Sequence, residues 1–169
     1  RLAPELQLDV QAFFGSYKKA RDEGKELLYS VADTDVILKS AQEASKAGIG
    51  RLDQEHSLQL HGSLLERLPS ILRAYVGCGE KMYGDLDQAD LIKIHVTSGK
   101  LTLLFFNEFG RAPIPTLRER VKINLREQDI DYFDYSEDSH PPLLFMKSRY
   151  MTPDMSGYRK QLKFDQQLE

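Results

Sequence analysis

The chain holds a single cysteine, Cys78, so no internal disulfide can staple it. That usage suits a reducing, cytoplasmic compartment. It lacks any apolar run approaching the ~20 residues a membrane-spanning helix needs, so no membrane partner is expected. It lacks the charged stretch and apolar core of a secretory signal. It opens on Arg1 rather than Met, which suggests a domain excised from a longer protein. It also lacks an excess of positive charge: the net charge is −3, so any contact with a phosphate backbone has to come from a local basic face. There is no glycine-rich phosphate loop, nucleophile elbow or HExxH. The four histidines, His56, His61, His95 and His140, show no metal-ligand spacing. No catalytic set, metal or cofactor is therefore expected.

What is present is ordinary globular material. The chain has 169 residues, 41% of them apolar and 29% charged, enough for one domain with a buried core. Leu91 to Phe106 organises it. Ile92, Ile94 and Val96 alternate with Lys93 and His95, the period of a half-buried strand. Leu101 to Phe106 is apolar on nearly every residue, so both its faces should be covered. Gly99 supplies a turn, and the two runs read as a hairpin. With Ser98 and Gly99 as the loop, Val96 faces Leu101, Ile94 faces Leu103 and Ile92 faces Phe105. Lys93, His95 and Thr102 then share the opposite face.

Around the hairpin, apolar spacing predicts a helix from Pro4 to Tyr29, weakened at Gly15 and with Gly24 as its candidate break. Asp33-Thr34 predicts an N-cap for a helix through Lys46, ended by Gly48. Residues 48–55 read as loop and Ser57 to His61 as a short strand. Ser63 and Glu66 form a capping-box pattern before a short helix, and Pro69 starts another that buries Leu68, Ile71, Leu72, Tyr75 and Val76. Asn107 to Pro115 reads as loop, Thr116 as the cap of a single helical turn, and Val121 to Leu125 and Ile130 to Tyr135 as strands. Leu143 to Met146 reads as an edge strand, Lys147 to Asp154 as irregular. Gly157 to Leu168 reads as a terminal helix with Tyr158, Leu162 and Phe164 inward. Helices first and strands later make an α+β domain over 1–169: N-terminal helices packed on a largely antiparallel sheet, with a C-terminal helix.

Three patterns invite chemistry. Val76-Gly77-Cys78-Gly79 looks like a cofactor loop, but such a loop needs a strand before its glycines, and the residues before these have helical spacing. Close packing at a helix end is the plainer reading. Asp131 and Asp134, with His95 or His140, could make a small acid–base enzyme, although alternating Asp on a strand is usually a solvated face. Lys93, His95, Lys100 and Lys122 can share a sheet face, with Lys147 and Arg149 at an adjacent edge and Tyr132, Tyr135 and Tyr150 between them. Cations mixed with aromatics suit phosphate pairing and base stacking, and an ordinary charged surface is the alternative.

Several strings taken together, AFFGSYKKARDEGKELLYSVAD, LERLPSILRAYVGC, ADLIKIH and DYFDYSEDSHPPLLFMKSRYMTPD, resemble the region beyond the catalytic domain of bacterial methyltransferases associated with DNA phosphorothioation. The resemblance runs from about Leu6 to Leu162. It implies an accessory recognition domain of a DNA phosphorothioation, methylation or restriction system. It carries over no catalytic residue, because the domain that would bind S-adenosylmethionine is not in this chain. The expected partner is DNA, met by Lys93, His95, Lys147 and Arg149 at phosphate, with Tyr132 and Tyr150 stacking or supporting them. The other expectation is a protein-interaction domain docking on the methyltransferase or another protein of the same gene cluster.

Overall fold

A computed structural model describes residues 2–168. Three helices come first: α1 (Pro4–Phe14), α2 (Tyr17–Ser30) and α3 (Thr34–Lys46). The long N-terminal helix of the sequence reading breaks at Gly15, not Gly24. Gly15 turns left-handed (φ 74°), and the Ser16 hydroxyl then accepts from the Lys19 amide to start α2. Gly24 stays inside α2, exposed, where its cost is tolerated. Asp33 caps α3 as expected, its carboxylate accepting from the Asp35 and Val36 amides.

Six strands follow, β1 (Arg51–Asp53), β2 (Ser57–His61), β3 (Leu91–His95), β4 (Lys100–Asn107), β5 (Thr116–Asn124) and β6 (Asp129–Asp134). They pair in sequence order as one antiparallel meander. A helix, α4 (Ser70–Tyr83), lies between β2 and β3, and α5 (Tyr158–Asp165) closes the chain. The fold is the expected α+β arrangement, with β1 added from residues read as loop.

The central hairpin forms with a register two residues from the simplest one. Ile94 pairs with Leu101 and Ile92 with Leu103, so the loop is Val96 to Gly99 rather than Ser98-Gly99. Two anchors fix the longer loop. The Val96 amide donates to the His56 carbonyl, and the Tyr75 hydroxyl bonds the carbonyls of both His95 (2.9 Å) and Lys100 (3.0 Å). A shift of two preserves the side-chain faces. Ile92, Ile94, Leu101, Leu103, Val121 and Ile123 are buried against α3 and α4. Lys93, His95 and Thr102 project from the other side.

Gly79 lets α4 approach the sheet: a Cβ there would lie 2.6 Å from Leu101 Cδ2. The Gly-Cys-Gly is thus a packing seam inside α4 and not a ligand loop. Ser63 is no helix cap. The residues Gly62–Arg67 form a 3-10 turn capped by His61, whose Nδ1 accepts from the Ser63 amide. Thr116 does not cap a helical turn either, because β5 begins there. A bulge follows at once: Phe105 pairs with Glu119 and Phe106 with Leu117, so Arg118 is the extra residue and Leu117 is re-aimed across the sheet.

That re-aiming builds a second small core on the far side, from Leu91, Phe106, Phe109 and Leu117, with Leu144 and Tyr150 against it. Leu143 makes a single bridge to Thr116 rather than an edge strand. In α5 the buried residues are Gln161 and Asp165, not Tyr158, Leu162 and Phe164, which are half-buried. The inward face is polar because it meets backbone: Asp165 accepts from the Ser148 amide, and Gln161 donates to Asp165 and to the Pro113 carbonyl.

Candidate nucleic-acid interface

The C-terminal segment covers only part of the far side of the sheet. On the uncovered part, alternation places Lys93 (β3), Lys100 and Thr102 (β4), and Arg120 and Lys122 (β5) on one face with His95. These are the three central strands. The acidic residues of that face are Asp53 on β1 and Asp129 and Asp131 on β6, Asp131 standing directly across from Lys122 in the register. Among the described residues, none of the four cations has a carboxylate within ion-pair distance.

His95 sits inside this cluster, its Nε2 3.0 Å from Thr102 Oγ1. Partial burial, then the charges of Lys93, Lys122 and Lys100, push its pKa down to about 4. The imidazole is therefore neutral near pH 7 and keeps a ring nitrogen for hydrogen bonding to Thr102. The Arg120 guanidinium lies 4.4 Å over the Phe133 ring, and the Lys122 ammonium 5.1 Å from it. Arg120 Nε is buried with no hydrogen-bond partner among the described residues.

Of the six residues the sequence singled out, the structure brings Lys93 and His95 together on this face. Lys147 is elsewhere and engaged: it is 4% exposed, and its ammonium donates to the carbonyls of Phe109 (2.7 Å) and Ala112 (2.6 Å). Tyr132 pairs with Val121 and so lies on the helix side of the sheet, 6.3 Å from the Tyr83 ring. Tyr150 packs against the small far-side core, and Arg149 is exposed in the 3-10 turn Lys147–Tyr150. Lys147, Tyr132 and Tyr150 thus leave the contact set.

Arg120 and Phe133 take their place. The signal was there: Arg120 continues the alternation of Lys122 and Asn124 backwards through Val121. An alternation that begins at Val121 stops one residue short of Arg120, which lies inside β5.

The acid–base alternative needs Asp131 or Asp134 beside His95 or His140. Asp131 belongs to β6, three strand steps from β3, which at ~4.8 Å per step is ~14 Å from the row holding His95. Asp134 points to the helix side and accepts from the Ser136 amide. His140 lies in the exposed segment after β6, its Nδ1 on the Ser139 hydroxyl. Cys78 is half-buried and its thiol is pushed up by burial, which makes it a poor nucleophile. Among the described residues, no group of three or more His, Cys, Asp or Glu could hold a metal ion, and no helix is long and apolar enough to cross a membrane.

Fold and face together define an α+β domain with a meander sheet, one side under helices and the other presenting Lys93, Lys100, Arg120 and Lys122. No family model, curated protein or solved structure matches the chain.

Proposed function

We propose that the domain is a non-catalytic recognition module that contacts the phosphate backbone of DNA with its open sheet face. The observation that carries this reading is the set of four cations on the central strands, Lys93, Lys100, Arg120 and Lys122, with no carboxylate in ion-pair distance among the described residues. An antiparallel sheet holds such side chains at fixed spacing, and each can neutralise one phosphate. Phe133 holds the Arg120 guanidinium over its ring, 4.4 Å from the centroid, and a guanidinium so held can still donate to a phosphate oxygen. Neutral His95 can donate or accept a hydrogen bond without adding charge. The resemblance to the accessory region of phosphorothioation-linked methyltransferases agrees with DNA as the target, within a bacterial modification or restriction system.

The test is affinity for plain and phosphorothioated duplexes across a salt series. Four phosphate contacts predict a log–log slope of roughly −3 to −4, and Lys93→Ala or Lys122→Ala each lowers its magnitude by about 1. Affinity that is absent at low salt, or a slope unchanged in both variants, removes the reading.

A second reading is protein interaction, favoured by the N-terminal helices. No residue of α1 is buried, and Leu8, Phe13 and Tyr29 are largely exposed, Phe13 at 80%. The partner implied by the resemblance is the methyltransferase itself or another protein of the same cluster. Co-purification with those proteins that is lost in Phe13→Asp supports this reading, and failure to co-purify with any of them contradicts it.

A further inference from the structure

The same C-terminal segment that builds the small far-side core also encloses a cavity of about 580 Å³. That volume lies within the ~300–1,000 Å³ of pockets for small organic ligands. Its wall joins His61 at the end of β2, the loop after β4 and the segment leading into α5. The apolar part consists of Phe109, Phe164 and the thioethers of Met151 and Met155. The charged side chains on the wall are Arg111, Lys147 and Lys160, all cationic, and among the described residues no carboxylate lines it.

Lys147 makes this more than a basic rim. Its ammonium has three donors, and two are spent on the carbonyls of Phe109 and Ala112. Among the described residues, no carboxylate lies within ion-pair distance of it. Asp165 and Asp90 act on it only from further off, and burial depresses its pKa. A cation taken out of water without a paired anion is costly, and an anion in the cavity would offset that cost. His61 stands opposite that demand as a ring rather than a charge. Its imidazole is 5.3 Å from the Phe109 ring, and burial lowers its pKa.

We propose that this cavity binds a small phosphate monoester carrying a flat ring. Three cations against no acid suit a dianion better than a single carboxylate. Arg111 and Lys160 would hold the phosphate from the exposed side, and Lys147 would give it the remaining donor. The ring would lie among Phe109, Phe164 and the two thioethers, whose polarizable sulfurs pack well on aromatic faces. The site is separate from the sheet-face contact with DNA: Lys93, Lys100, Arg120 and Lys122 do not line it.

The test is a titration of the 169-residue chain with phenyl phosphate, followed by amide shifts in nitrogen-15 spectra. Benzoate, benzyl alcohol and inorganic phosphate are titrated in parallel. The expected result is saturable shifts at Gly110, Gly157 and Gln161, with phenyl phosphate binding tighter than the other three probes. Arg111 and Lys160 are exposed, so Arg111→Ala with Lys160→Ala keeps the fold. It weakens phenyl phosphate at least about tenfold, or ~1.4 kcal/mol. Lys93→Ala with Lys122→Ala leaves the binding unchanged, which separates this site from the sheet face. Absence of saturation overturns the proposal. So does equal affinity for benzyl alcohol or for inorganic phosphate, or undiminished binding in the Arg111 and Lys160 double variant.

Discussion

At the scale of single residues, two side chains hold the central hairpin in place. Tyr75 reaches from α4 and shares its single hydroxyl hydrogen between the two carbonyls that flank the loop, an anchor for the four-residue turn. Tyr75→Phe keeps the ring and removes both bonds. It should destabilise the domain by about 1–3 kcal/mol in chemical denaturation, since the carbonyls lose their partner in a half-dry site. His95 gives a pH signature. Its folded pKa, about 4, lies below the ordinary 6.5, so the unfolded chain takes up the proton first as pH falls. The contribution to stability is whole above pH 6.5 and is lost as pH drops from there toward 4. His95→Gln should flatten that part of the stability profile, measured by thermal melts across the interval. A profile equally steep in the variant contradicts the assignment. Lys147 shows how a residue type misleads: a lysine beside an arginine and a tyrosine reads as a surface contact. Only the fold reveals that its ammonium ties the loop after β4 to the C-terminal segment.

At the scale of elements, α4 and its glycines carry the clearest contrast. Gly77 has nothing within 4 Å of the position a Cβ would take, whereas Gly79 meets the fully buried Leu101. Gly77→Ala should therefore stabilise by up to about 1 kcal/mol through helix propensity. Gly79→Ala should destabilise by about 1–3 kcal/mol because the side chain overpacks the sheet. Opposite signs in the two melts are the expected outcome, and matching signs would contradict the packing account. The elements themselves were legible wherever period and local chemistry agreed. The Asp33 cap, the alternation of Ser57 to His61 and of Leu91 to His95, and the buried stripe of α4 all appear where the residues put them. The misses share a cause, because they depend on partners distant in sequence. Asp53 pairs with Ser57 on β2, a strand that is itself paired along its length with β3. Leu143 makes one bridge, to Thr116 at the start of β5, close to the Arg118 bulge. Gln161 and Asp165 turn inward because backbone donors and a carbonyl wait there. None of these is a property of the local residues.

At the scale of the whole molecule, the sheet separates two kinds of surface. One side is sealed by α3 and α4 and forms the main core. The other is divided: the C-terminal segment closes over Leu91 and Phe106, and the exposed salt bridge from Arg67 to Asp154 pins that segment to the turn before α4. The rest is left open, with its cations on the central strands and its acids on β1 and β6. This division explains how a chain of net charge −3 can still present a basic face. The candidate interface was half legible in the sequence. Alternation gave Lys93 and His95, but the neighbours of a residue across strands depend on register, which placed Tyr132 on the helix side and brought Arg120 and Phe133 in. The most direct measurement is a map of backbone amide shifts when a short duplex is added at low salt. Shifts clustered on β3, β4 and β5 around Lys93, Thr102 and Lys122, and fading as salt is raised, are the predicted result. Shifts confined to α1 and α2, or none at all, would contradict the central claim that the uncovered sheet face meets the phosphate backbone.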